Sequence, residues 1–143
     1  VGAAFVVAED AKAQVAVEAN LKTIMRTTIS MPPDHGAAAA RLVLTSPDLR
    51  DLWERELTEM RTRMLDLRRR LAEALRARTN SDRFDFIAEH RGMFSLVGAT
   101  PEQVDELRET HGIYLIRDGR MNVAGLREDK IDAVAEAFVA VGM

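Results

Sequence analysis

Ser46-Pro-Asp-Leu-Arg-Asp-Leu-Trp-Glu-Arg55 opens the longest periodic stretch of the chain, and its reading decides the architecture. Ser46 supplies a capping oxygen, Pro47 has the fixed φ of a first helical residue, and Asp48 puts a negative charge in the first turn. From Leu49 onward, Leu52, Trp53, Leu57, Met60, Met64, Leu67, Leu71 and Leu75 return at steps of three and four, the repeat of one helical face. One helix is therefore expected from Ser46 to about Arg78, roughly 45 Å long at about 1.5 Å per residue. A helix of that length usually bridges two bodies. The stripe covers only about four heptads, which disfavours a coiled-coil rod. The opposite side, with Arg61, Arg63, Arg68, Arg69 and Arg70, reads as a solvated face.

Upstream of that helix, Val1-Gly-Ala-Ala-Phe-Val-Val-Ala8 is an apolar, partly β-branched run, the pattern of a strand buried on both faces of a parallel sheet. A buried strand needs neighbours to satisfy its backbone groups, and no other strand is legible before Phe84. The chain is accordingly expected to be a piece of a longer protein. Glu9 and Asp10 then precede a helix marked by Ala13, Val17, Leu21, Ile24 and Met25, fading at Thr27-Thr28 ahead of Pro32-Pro33. Ser30 to Gly36 is expected as an ordered loop, followed by a short Ala-rich helix from Gly36 to Leu44.

Downstream, Phe84–Ile87 and Met93–Val97 read as short strands. Thr100-Pro-Glu-Gln103 is a capping box that opens a helix ending at His111-Gly112. Ile113–Ile116 and Arg120–Val123 flank Arg117-Asp-Gly119, a hairpin signal. A last helix is expected from Glu128 to Val141, buried through Ile131, Val134, Ala135 and Phe138. The fold class is α/β, with strands covered by helices after Asn80.

The composition narrows function by exclusion. With 143 residues, 47% hydrophobic and 30% charged, the chain has material for a globular core. A net charge of −3 disfavours nucleic-acid binding, which needs a basic surface. The absence of cysteine removes disulfides and thiolate metal sites and fits a reducing cytoplasm. No apolar run is long enough to span a bilayer. His35, His90 and His111 lack the spacing of helical metal ligands and read as local capping or surface residues.

Two arginines stand apart by position. Arg26 ends a helix just before the Ser30–Gly36 loop, and Arg120 follows the Asp-Gly turn between Gly119 and Gly125. Glycines there permit close approach of a backbone or ligand, and an arginine can present its planar fork to a carboxylate through two charge-assisted bonds. Spacing alone does not separate this role from a solvated or structurally paired arginine.

The strings Val1-Gly-Ala, Arg26 to Pro33 with His35-Gly36-Ala37, Trp53-Glu-Arg-Glu-Leu-Thr-Glu-Met60, Gly92-Met-Phe-Ser95, Gly112 to Tyr114 and Gly119-Arg-Met-Asn-Val-Ala-Gly125 resemble the aspartate/aromatic aminotransferases of fold type I, in the family's order along the whole chain. The resemblance implies that residues 1–59 are the end of the large pyridoxal-phosphate domain, including the start of the connecting helix, and that residues 60–143 form the small domain. It implies ping-pong transamination between amino acids and 2-oxo acids with pyridoxal 5'-phosphate as electron sink, in a homodimer with shared sites. By the same resemblance Arg120 grips the substrate α-carboxylate, and Arg26 reaches the neighbouring subunit's site to hold a dicarboxylic side chain. Phe94 and Ser30 match positions lining that cleft. The cofactor-holding lysine is expected upstream of Val1, since Lys12, Lys22 and Lys130 all fall on predicted helices. Ile29 and Met31, where the family often has Tyr and Asn or Ser, imply a more apolar pocket edge. The competing expectation is a non-catalytic α/β module that senses a carboxylate through Arg120.

Overall fold

A computed structural model describes residues 4–143. The order of elements is α1 (Ala11–Thr28), α2 (His35–Thr45), α3 (Pro47–Thr79), α4 (Phe86–Glu89), β1 (Phe94–Leu96), α5 (Pro101–His111), β2 (Arg120–Asn122) and α6 (Ile131–Ala140). This is a helix-rich α/β arrangement, and it divides into two compact units between Asp51 and Leu52.

In the first unit, α1 starts where Asp10 accepts a hydrogen bond from the Ala13 amide at 2.7 Å. Near its end the hydroxyls of Thr23, Thr27 and Thr28 donate back to carbonyls three and four residues earlier. Such back-bonding weakens a helix end. The helix stops at Ser30, whose φ of 66° is left-handed, and whose amide donates to the Met25 carbonyl at 3.1 Å. A serine in place of the usual glycine here carries a modest backbone strain. Neither α1 nor α2 buries a residue within this unit. The strand expected over Val1–Ala8 does not form in its described part: residues 4–8 have no regular secondary structure, and Phe5 and Val7 lie open. The rest of that expected strand, residues 1–3, lies outside the described residues. The physical reason is the one that motivated the expectation, because no strand among the described residues pairs with that run.

The second unit has a core of its own. The 33-residue α3 confirms the long helix read from Ser46, and it contributes Leu67, Leu71, Ala72 and Leu75 from its last turns. Phe84, Ile87, Val104, Leu107, Val123, Ile131, Val134 and Phe138 complete the centre of that core. The earlier part of the apolar stripe, from Leu49 to Met60, stays exposed. The capping box forms as expected, with Gln103 N to Thr100 Oγ1 at 3.3 Å and Thr100 N to Gln103 Oε1 at 2.9 Å. The helix it opens ends at a left-handed Gly112.

Three expectations are corrected. Phe84–Ile87 is no strand but the entry to the single turn of α4: Phe84 and Ile87 are buried three residues apart, a helical spacing, and the Ile87 amide donates to the Phe84 carbonyl. Ile113–Ile116 contributes only one bridge, Ile116 to Arg120, so the strand at Arg120 does not pair along it. That strand instead runs antiparallel to β1, with Phe94 opposite Asn122, Ser95 opposite Met121 and Leu96 opposite Arg120. The third is Arg68, expected on the solvated face and fully buried.

The turn into β2 is tightly specified. Gly119 has a φ of +81°, and a Cβ built there would lie 2.9 Å from the Ala99 carbonyl oxygen. Gly119→Ala combines a left-handed backbone with a main-chain clash that no rotamer relieves. It should destabilise the full-length protein by about 2 kcal/mol or more, read as a fall in denaturant midpoint. A midpoint equal to that of the unsubstituted protein would show that the turn relaxes freely.

Candidate functional site

The β1–β2 ribbon has two unlike faces because side chains alternate along a strand. Ser95 and Met121 point into the core, whereas Phe94, Leu96, Arg120 and Asn122 share the exposed face. Directly opposed residues on such a pair have Cβ atoms about 5 Å apart. Leu96 stands directly opposite Arg120, and Phe94, opposite Asn122, lies diagonally from it on the same face. An aliphatic side chain and an aromatic ring thus share the face of a guanidinium, which suits a ligand with both a carboxylate and an apolar part.

Arg120 is held by the turn that precedes it. Asp118 Oδ2 accepts from Arg120 Nη2 at 2.6 Å and from Nε at 3.2 Å, and Oδ1 accepts from the Arg120 amide at 3.1 Å. Arginine carries five N–H donors in a rigid plane, so one edge of the fork is engaged while Nη1 has no partner among the described residues. The side-chain hydrogen bonds from Arg120, then its backbone amide and its charge, hold the Asp118 carboxyl below the usual carboxylate range, and the same side-chain bond raises the Arg120 guanidinium. A carboxyl depressed in the folded state adds stability above its ordinary pKa, lost as pH falls through the depressed value. Both groups are exposed, so the effect on stability is small. Arg120→Ala should return the Asp118 titration, followed by carboxyl carbon chemical shift, to the ordinary aspartate range. An unmoved titration would mean that the pair does not persist in solution.

Arg26 lies in the last turn of α1 and is exposed, its side chain making no hydrogen bond or ion pair to any described residue. Ser30 follows at the left-handed position, flanked by Ile29 and Met31, both open to solvent. The four residues expected to line the cleft therefore fall into two pairs. Phe94 and Arg120 share one face of the second unit, and Arg26 and Ser30 share one helix end of the first.

The residue that sequence reasoning missed is Arg68. Its side chain is fully buried, with Nη1 donating to Ser95 Oγ at 2.5 Å and to the Ile87 carbonyl at 3.2 Å. Nη2 donates to the carbonyls of Gly92 at 2.7 Å and Phe94 at 3.1 Å. Desolvation by burial, with Arg91 adding like-charge repulsion, pushes its guanidinium pKa down. The only local clue was its place beside Leu67 and Leu71, one step from the buried stripe.

A cavity of about 800 Å³ in the second unit reaches the ribbon at Asn122 without including its arginine. Tyr114, Asn122, Leu126, Lys130, Val134 and Ala137 are among its lining residues, and neither Arg120 nor Phe94 is. Among the described residues no cluster of His, Cys, Asp and Glu is arranged to hold a metal ion, and no helix is long and apolar enough to cross a membrane.

Comparison with known proteins gives this geometry a context. The family model for aminotransferase class I and II matches residues 1–138. The chain is 47% identical over 134 residues to the aromatic-amino-acid aminotransferase of Paracoccus denitrificans, covering 94% of this chain and 34% of that one. It is 41% identical over 141 residues to the aspartate aminotransferase of Pseudomonas aeruginosa, covering 99% of this chain and 35% of that one. Its structure matches that of an aromatic amino acid aminotransferase with 3-indolepropionic acid at a TM-score of 0.86 and 47% identity, over 94% of this chain and 34% of that one. It also matches an aromatic-amino-acid aminotransferase from Burkholderia pseudomallei covalently bound to pyridoxal phosphate, with a TM-score of 0.79, 47% identity, and 92% of this chain and 33% of that one covered. The chain thus spans about a third of the length of the curated relatives it matches. With a family model matched over nearly its whole length, and solved relatives sharing its fold, the chain belongs to the aminotransferase class I and II family.

Proposed function

We propose that the full-length protein is a pyridoxal-phosphate-dependent aminotransferase that moves the amino group of aspartate or an aromatic amino acid to 2-oxoglutarate, working as a homodimer with shared sites. The observation that carries this is the exposed ribbon face, where Arg120, held by the turn of Asp118 and Gly119, stands opposite Leu96 and shares the face with Phe94. Every amino acid and 2-oxo acid has a carboxylate for the guanidinium to grip, and Phe94 with Leu96 offers an apolar surface beside it. Relatives named for aspartate and for aromatic substrates support both classes.

In this assignment Arg120 binds and orients the α-carboxylate and Phe94 packs beside the substrate. Arg26 holds the distal carboxylate of a dicarboxylic substrate in the partner subunit's site, and Ser30 lines that edge. Ile29 and Met31, both exposed beside Ser30, keep the edge apolar, which favours acceptance of aromatic side chains. The cofactor, when bound, supplies the electron sink that makes the amino-bearing carbon acidic. The lysines of this chain do not fit the role of holding it. Lys12 and Lys22 are exposed on α1, Lys22 pairs with Glu18, and Lys130 is exposed ahead of α6. The holding lysine and the phosphate contacts are assigned to the remainder of the full-length protein.

The test is a two-substrate assay of the full-length protein loaded with pyridoxal phosphate. Aspartate with 2-oxoglutarate should give oxaloacetate and glutamate, and phenylalanine should give phenylpyruvate and glutamate. Absence of glutamate with either donor would overturn the proposal.

A further inference from the structure

We propose that Arg68 is the positioning residue of the carboxylate-gripping face: from behind the ribbon, its buried guanidinium sets where Phe94 and, through the strand ladder, Arg120 lie. The inference rests on Arg120 being the arginine that holds the α-carboxylate. Arg68 itself touches no substrate.

Burying a cation is costly unless its donors are satisfied. Arg68 is fully buried and, among the described residues, no carboxylate pairs with it. Its hydrogen-bond partners are three main-chain carbonyls and one hydroxyl. All four belong to the segment from Ile87 to Ser95, so one rigid plane projecting from α3 fixes both the Gly92 turn and the first two residues of β1. Two of the acceptors, the Phe94 carbonyl and the Ser95 hydroxyl, flank the Phe94 side chain on the opposite face. The Ser95 hydroxyl, while accepting from Arg68, keeps its own hydrogen to donate, and His90 Nδ1 lies 3.2 Å from Ser95 Oγ. Ser95 pairs with Met121, whose preceding residue is Arg120. A shift of β1 is therefore transmitted directly to the guanidinium that meets substrate.

Simple structural support would call only for burial and volume, which an apolar residue supplies. What distinguishes a fork is that it fixes the direction of several acceptors at once. Displacement of a gripping group by about 1 Å costs up to about a hundredfold in rate or binding, so loosening β1 should show in substrate affinity before it shows in stability.

The experiment uses the full-length holoenzyme with four variants: Arg68→Met, Arg68→Lys, Phe138→Leu and Arg120→Ala. Phe138 is fully buried in α6 and bears on core packing alone, so Phe138→Leu controls for lost stability. Thermal midpoint, KM and kcat are measured for aspartate and for phenylalanine. Arg68→Met should raise KM for both donors by a similar factor of about ten or more, with a smaller change in kcat. Arg68→Lys should recover part of the loss, because an ammonium keeps the charge and only some of the bonds. Phe138→Leu should lower the midpoint and leave KM within about twofold of the parent. Should Arg68→Met fail to fold, Arg68→Lys decides: a raised KM supports the role, and a KM equal to the parent's overturns it. The role is also overturned if Arg68→Met leaves KM unchanged, or if Phe138→Leu raises KM as much for the same loss of midpoint. If Arg120→Ala raises KM and Arg68→Met does not, only Arg68 loses its role. If Arg120→Ala itself leaves KM unchanged, the carboxylate assignment fails and the Arg68 proposal falls with it.

Discussion

On the proposed function, replacing Arg120 by alanine in the full-length protein should lower kcat/KM for aspartate, glutamate and aromatic donors alike, by roughly 30-fold to several thousandfold. The α-carboxylate is common to all of them, so no donor escapes. Losing a bidentate, charge-assisted pair that a bound substrate would shield from water costs about 2 to 5 kcal/mol, which sets that range. Arg120→Lys should restore only part, since an ammonium keeps the charge and loses the planar fork. Asp118 makes the test sharper. It already engages Nε and Nη2 of Arg120, so the guanidinium is held in place, and the truncation removes an ordered group. Parallel kcat/KM measurements for aspartate and phenylalanine check this. If Arg120→Ala spared phenylalanine while crippling aspartate, the two arginines would have been assigned the wrong way round.

The second large effect should be selective. Arg26→Ala should lower kcat/KM for aspartate and glutamate by roughly 30-fold or more and change phenylalanine little, because an aromatic side chain makes no second ion pair. The geometry is compatible with service to a partner: Arg26 is exposed at the end of α1, and its side chain pairs with no described residue. Complementation in mixed dimers addresses the sharing. With Arg26→Ala in one subunit and Arg120→Ala in the other, one of the two sites should keep both arginines and recover dicarboxylate activity. Recovery of none would place Arg26 at work within its own subunit, or outside the site.

Local chemistry was legible in the sequence wherever a few adjacent residues decide the outcome. α3 starts at Pro47 with Asp48 in its first turn, where Ser46-Pro47-Asp48 marks it, and the Thr100–Gln103 capping box opens α5, because helix starts depend on residues within one turn. Phe84–Ile87 was misread because four residues do not separate a period of two from one of about three and a half, and burial of Phe84 with Ile87 decided for the helix. The partner of β2 was illegible for another reason. The Asp-Gly pair argued for a hairpin with Ile113–Ile116, whereas the pairing that forms joins residues some 26 positions apart, Phe94 with Asn122 through Leu96 with Arg120. At the site, Arg120 could be singled out by its bracketing glycines, and an Asp two residues before it could have suggested the ion pair. Arg68 could not, since a run of three arginines reads as solvated until the carbonyls of residues 87–94 are placed around one of them.

The central claim is that Arg120 grips the α-carboxylate, and the most direct measurement bypasses turnover. 3-Phenylpropionate has a carboxylate and an aromatic ring but no amino group, so it binds without reacting, and its affinity can be titrated through the cofactor absorbance of the full-length holoenzyme. The predicted result is that Arg120→Ala weakens this acid by about 30-fold or more, while Arg26→Ala leaves it within about twofold. An Arg120→Ala enzyme that binds 3-phenylpropionate as tightly as the unsubstituted enzyme would contradict the assignment.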